Sequence, residues 1–161
     1  MNSILKSSAR RGPVVAVLFL AALVSPSSAL ASLGGDVATV EADRDEMQGS
    51  RTISASRSYS VHELKAPTGT VIREFVSPDG IVFAVAWQGP FMPNLRQLLG
   101  DYFEPFSEAA QAQRAHRPGR RPMLVQGAGF VVESGGPMRA LFGRAYIPDR
   151  LPAAMDEGGI Q

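Results

Sequence analysis

The stretch YSVHELK-APTG-TVIREFV-SPDG-IVFAVAW, residues 59–87, decides the reading of the fold. Tyr59–Lys65, Val71–Val76 and Ile81–Trp87 are short runs rich in β-branched and aromatic residues, side chains that suit a pleated, half-buried surface. Ala66-Pro67-Thr68-Gly69 and Ser77-Pro78-Asp79-Gly80 separate them, each with a proline two residues ahead of a glycine. Proline presets the backbone at the second position of a turn, and glycine accepts the positive φ that closes it. The segment therefore predicts an antiparallel meander. Ile81–Trp87 is apolar on both faces of such a strand, so it is expected at the centre of the sheet with cover on at least one side.

Working outward toward the C-terminus, Asn94 starts a helix. Gln97 stands three residues on, the spacing of a capping box, and Pro93 stiffens the approach. Leu95, Leu98, Leu99, Tyr102, Phe103, Phe106 and Ala110 recur at spacings of three and four and form one broad apolar stripe. Gly100 and Pro105 interrupt it, which predicts a kink or two abutting helices near Glu104. Arg114–Pro122 reads as a basic connector. Met123–Gln126, Phe130–Glu133 and Met138–Ile147 read as further strands, turned by Gly127-Ala128-Gly129 and Ser134-Gly135-Gly136-Pro137.

Toward the N-terminus, Arg51–Ser58 is polar and serine-rich, a loop or a weak edge strand. Asp36 is expected to cap a short helix with Val37, Val40 and Met47 on its apolar side. The expected architecture is α+β: a mostly antiparallel sheet of two three-stranded meanders, covered by one long kinked helix. It forms a single domain over residues 32–150, followed by a flexible Pro/Gly-rich tail, residues 151–161, with little to bury.

Residues 1–31 have the layout of a cleavable secretory signal. Lys6, Arg10 and Arg11 form a basic n-region, Val14–Val24 is uncharged and apolar, Pro26 breaks the helix, and Ala29-Leu30-Ala31 offers small residues for cleavage between Ala31 and Ser32. An apolar run of that length falls short of the roughly 20 residues that span a bilayer. The expectation is a periplasmic or secreted protein without a stable membrane anchor after cleavage. The remaining chain has 13 basic against 15 acidic residues, a formal net charge of −2. Without a basic excess, nucleic acid is a poor partner. With 0 cysteines the chain has no disulfide, thiol nucleophile or thiolate metal site, so packing must hold it together.

Catalytic and metal-binding patterns are weak. The imidazoles are His62 and His116, and no serine lies in a Gly-x-Ser-x-Gly elbow. Asp43, Asp45 and Glu46 form an acidic cluster without the glycine and distal glutamate of a calcium loop. Gly127-Ala128-Gly129 has Val132 where a dinucleotide fingerprint needs glycine. No catalytic residue, metal ligand or cofactor is expected. Trp87-Gln88-Gly89-Pro90-Phe91-Met92-Pro93 concentrates aromatics in a loop, where Trp87, Gln88 and Phe91 would make a platform for a sugar or peptide if exposed. The other reading of this loop is a plug for the end of the core. Arg117, Arg120 and Arg121 offer a second surface, suited to anionic headgroups or polysaccharide.

Leu33-Gly34-Gly35-Asp36, Val61-His62-Glu63, Gly69-Thr70-Val71, Trp87–Phe91 and Ser134–Ala140 together resemble a family of exported proteobacterial proteins classed as a domain of unknown function. The likeness runs from about Leu33 to Pro152, through Phe142-Gly143-Arg144-Ala145-Tyr146-Ile147-Pro148. It implies a single domain in the cell envelope and assigns no catalytic residue. The function expected is a non-enzymatic envelope protein that binds another envelope protein or a glycan. A small periplasmic hydrolase using His62 is the alternative. An inhibitor-like module presenting the Pro67–Gly69 and Pro78–Gly80 turns beside the Trp87 loop is a third.

Overall fold

Both proline–glycine turns close hairpins as their spacing predicts. The Gly69 N–H donates to the Ala66 carbonyl and the Gly80 N–H to the Ser77 carbonyl, each at 2.9 Å. Gly69 has φ 87° and Gly80 φ 84°, left-handed values that other residues adopt only under strain. The computed structural model describes residues 33–37, 49–116, 122–153 and 155–161. The predicted signal, its cleavage site at Ala31 and Ser32, and the expected helix residues Val40 and Met47 lie outside the described residues.

Seven strands form one antiparallel sheet: β1 (Ser50–Ala55), β2 (Ser60–Lys65), β3 (Val71–Val76), β4 (Val82–Gly89), β5 (Met123–Gly127), β6 (Phe130–Gly135) and β7 (Leu141–Tyr146). Their order is β1-β2-β3-β4-β7-β6-β5. The sheet has seven strands where the sequence reading counted six. Residues 50–55 join as an edge strand, and β7 pairs with β4 to fuse the two halves. β7 also starts at Leu141 rather than Met138, because Pro137–Ala140 is taken up by a turn.

Between β4 and β5 the chain crosses the sheet as two abutting helices, α1 (Leu95–Leu99) and α2 (Phe103–His116), joined by a 3-10 turn at Gly100–Tyr102. Asn94 Oδ1 accepts from the Gln97 N–H at 3.4 Å, which is the cap the sequence predicted. The break falls at Gly100, where φ is 51° and ψ −123°, and not near Glu104. Pro105 sits in the first turn of α2, where its missing N–H costs nothing.

Side chains alternate across the strands, so the sheet has two apolar faces. On the inner face, Leu64, Ile72, Val85, Val132 and Ala145 meet Leu98, Leu99, Phe106 and Ala110 of the helices. On the outer face, Phe75, Phe83, Val131 and Tyr146 form a smaller cluster. A bulge makes this possible: Phe75 pairs with Ala84 but Val76 pairs with Val82, so Phe83 is an extra residue that turns outward. β4 is therefore buried on both sides, as its composition implied.

Both terminal segments pack against the sheet. Asp36 forms an antiparallel bridge with Ile81, and Gly34 N–H and Gly35 C=O bond the two main-chain groups of Val82; the helix that Asp36 was expected to cap lies outside the described residues. The C-terminal segment is not without apolar cover to offer. Ile160 is 1% exposed and packs into the outer cluster, with Leu151 and Met155 beside it.

Candidate functional site

The end of the sheet where β4 stops brings three loops together. Gly69 and Pro90 are near enough that a Cβ on Gly69 would lie 3.8 Å from the proline ring. Thr70 is buried, and its Oγ1 donates to the Phe91 carbonyl at 3.0 Å. That bond fixes the main chain of residue 91 while its side chain, 60% exposed, points to solvent. Gly89 pairs with Leu141, so the β6–β7 loop stands beside Phe91. Gly136, with φ 106°, and Arg139, with φ 67°, bend that loop tightly, and a Cβ on Gly136 would overlap the Ala140 carbonyl. Met138 projects from it, 78% exposed. Met92 is exposed, and so is Phe142, which lies opposite Gln88 on the outer face. Four large apolar side chains thus share one end of the molecule, more than isolated surface residues would give.

Trp87 is not part of that surface. It is 2% exposed, on the inner face, and its indole lies over Gly143 directly across the ladder. It takes the core-plug reading, while Gln88 and Phe91 face solvent. Arg117, Arg120 and Arg121 lie outside the described residues. Met92, Met138 and Phe142 were not singled out in the sequence. Met138 could have been found from its setting, since an apolar residue inside a Gly-Gly-Pro turn has no neighbour to pack on. The Pro67–Gly69 turn belongs to this end, but Pro78–Gly80 closes the opposite end of β3, so the edge expected for an inhibitor-like module is not assembled.

Behind the loops, the outer face carries a row of paired charges. Register places Glu63, Arg73, Ala86, Arg144 and Glu133 side by side on β2, β3, β4, β7 and β6. Arg73 Nε meets Glu63 Oε2 at 2.8 Å and Arg144 Nη2 meets Glu133 Oε2 at 2.8 Å. Both pairs are partly exposed, a setting in which cross-strand ion pairs contribute about 0.2–1 kcal/mol.

His62 lies on the inner face of β2 and is buried. Arg51 Nη2 is 2.8 Å from its Nδ1, and Ser60 Oγ is 3.2 Å from its Nε2. Glu74 is its cross-strand partner on β3 and is also buried. Guanidinium only donates, so Nδ1 accepts and the proton of the neutral ring sits on Nε2, donating to Ser60. Burial lowers the His62 pKa below its ordinary value, and the Arg51 charge lowers it further. A serine nucleophile needs the reverse arrangement, an unprotonated Nε2 beside the hydroxyl and an acid on Nδ1. The cluster is built to hold a neutral histidine.

A groove of about 470 Å³ opens between the N-terminal bridge, the helix junction and the β5–β6 turn. Asp101 and Tyr102 are the titratable groups among its lining residues, and the Tyr102 ring packs on Phe130 at 5.4 Å between centroids. Among the described residues, no three His, Asp or Glu side chains come together as a metal site would require. No helix of the described residues is long and apolar enough to cross a membrane.

Over residues 29–160 the sequence matches the family described as a protein of unknown function (DUF2844). The chain belongs to that family. No curated protein and no solved structure matches it. The DUF2844 region spans β1–β7, α1, α2 and Ile160. Two of the glycines in this DUF2844 chain have clear geometric causes: Gly136 shapes the Met138 loop, and Gly143 makes room for Trp87.

Proposed function

We propose that this DUF2844 protein is an exported, non-enzymatic component of the cell envelope. It binds another envelope molecule, a protein or a glycan, through the end of the sheet that carries Phe91, Met92, Met138 and Phe142. The observation that supports this most is the shared exposure of these four side chains on two neighbouring loops and the first residues of β7. Aromatic and methionine side chains on a rigid support are what binding hot spots and adaptable apolar contacts use. Gln88 beside Phe142 supplies an amide for hydrogen bonding within the same patch. The basic, apolar and small-residue layout of residues 1–31 supports export, with maturation at Ser32.

The test is capture from the native envelope fraction with the wild-type protein and with a Phe91→Ser/Met138→Ser variant. A partner retained by the wild type and lost by the variant, with unfolding unchanged, supports the reading. Equal recovery by both overturns the assignment of this surface.

A hydrolase is the second reading, favoured by the 3.2 Å approach of Ser60 Oγ to His62 Nε2. The donor on Nδ1 and the burial of the ring count against it. Ester or amide hydrolysis that disappears in both Ser60→Ala and His62→Gln would reinstate it.

A further inference from the structure

The two edges of the sheet are finished differently. Along β5, Met123, Val125 and Gly127 pair with Ser134, Val132 and Phe130. The carbonyl of Leu124, between them, is taken by Gln113 Nε2 of α2 at 2.8 Å. β1 has five of its six residues exposed; it contains no proline or lysine and no break in register, and its one charge, Arg51, is turned back onto His62 of the neighbouring strand. Proline, lysine and breaks in register are devices by which natural edge strands avoid pairing.

The hydrogen bonds of the β1–β2 hairpin fix which main-chain groups point away from the sheet. The Ser56 N–H donates to the Tyr59 carbonyl at 2.8 Å. Bonded and non-bonded pairs alternate in an antiparallel ladder, so the next bonded pairs are Ser54–Val61, Thr52–Glu63 and Ser50–Lys65. The main-chain N–H and C=O of Ile53 and Ala55 therefore face outward.

We propose that β1 pairs antiparallel with β1 of a second copy of this chain, about a two-fold axis through Ile53. An axis normal to the sheet keeps inner face beside inner face, so it must pass through a residue rather than between two. Centred on Ile53, that residue exchanges both main-chain bonds with its symmetry mate. Arg51 then stands opposite Ala55, and Thr52 opposite Ser54. Ile53, 56% exposed, meets another isoleucine. Hydroxyls meet hydroxyls, and no like charges are opposed, because the Arg51 guanidinium turns onto His62. An axis through Thr52 puts a non-bonding pair at the centre and sets Arg51 against Ile53. Because β1 pairs with its own symmetry mate, the contact is isologous and closes at two copies. One strand edge buries far less than the roughly 1,200 Å² of a standard interface, so the pair dissociates on dilution.

The absence of cysteine makes the register directly measurable. Facing residues of a bonded pair have Cα atoms about 5.5 Å apart, within the roughly 4.4–6.8 Å that a disulfide bridges. On mild oxidation of concentrated protein, Ile53→Cys should give a covalent dimer, and a mixture of Thr52→Cys and Ser54→Cys a mixed dimer. Gln126→Cys, exposed on the other edge, should stay monomeric. Light scattering of the unmodified protein should show a mass that falls toward the monomer on dilution, and Ile53→Pro should be monomeric throughout with its circular dichroism unchanged. Cross-linking of Ile53→Cys no faster than Gln126→Cys, or a wild-type monomer at every concentration, would overturn the proposal.

Discussion

Trp87 and Gly143 face each other across β4 and β7, and the indole lies so close over the glycine that a Cβ there would overlap its six-membered ring. The largest side chain of the sheet is accommodated by the smallest residue opposite. Trp87 can therefore lie flat beneath the helices while the loop that follows it turns out to solvent.

Gly143→Ala should destabilise the fold by about 1–3 kcal/mol, the usual cost of adding a methyl group to a filled core. Trp87 is the single tryptophan. Its fluorescence during urea unfolding checks this directly, and the variant should show an earlier midpoint and a red-shifted native spectrum. An unchanged midpoint would mean that the indole is not held against residue 143.

Ile160→Ala should cost about 2–5 kcal/mol, because it opens a cavity in the outer aromatic cluster where the wild-type side chain is fully covered. Truncation before Met155 should do at least as much. Thermal unfolding measures both, and a truncated chain as stable as the wild type would show that residues 155–161 do not hold the sheet.

Stability should fall as the medium is acidified through the ordinary histidine range. His62 has a folded-state pKa below its usual 6.5, chiefly through burial and secondarily through Arg51. The unfolded chain then takes up the proton first, so this contribution is complete above the unfolded value and is lost as pH falls through it toward the folded one. Urea midpoints at about pH 7.5 and pH 5.5 should differ more for the wild type than for His62→Gln. Equal pH dependence in the two would remove His62 from the account.

Thr70→Val should leave the sheet intact but loosen the Phe91 loop, since the hydroxyl that fixes the Phe91 carbonyl is lost. A buried hydrogen bond of this kind contributes about 0.5–1.5 kcal/mol. Amide exchange confined to residues 89–94 is the measurement, and protection equal to the wild type would show that the loop is held by other means.

The first half of the sheet and the helix were legible because their signals are local. Pro67–Gly69 and Pro78–Gly80 specify turns, and the spacing from Leu95 to Ala110 specifies one packed helix face. What stayed hidden depends on distant partners. Residues 50–55 carry little β signal of their own and become a strand because β2 supplies the ladder. Ile160 sits among glycines and acids, and the outer apolar cluster that buries it is assembled from β3, β4, β6 and β7. At the candidate site, Phe91 was legible as an aromatic in a loop. The burial of Trp87 was not, because it depends on Gly143 lying opposite, 56 residues away by the pairing of β4 with β7.

The central claim is that the Phe91–Met138 end of the molecule is where a partner binds. Photo-cross-linking in the native cell tests it most directly, with the reactive group placed in turn at positions 91, 138 and 57, the last in the β1–β2 turn at the opposite end of the sheet. The account predicts the same discrete adduct from positions 91 and 138 and none from 57. No adduct from 91 or 138, or the same pattern from all three, would contradict it.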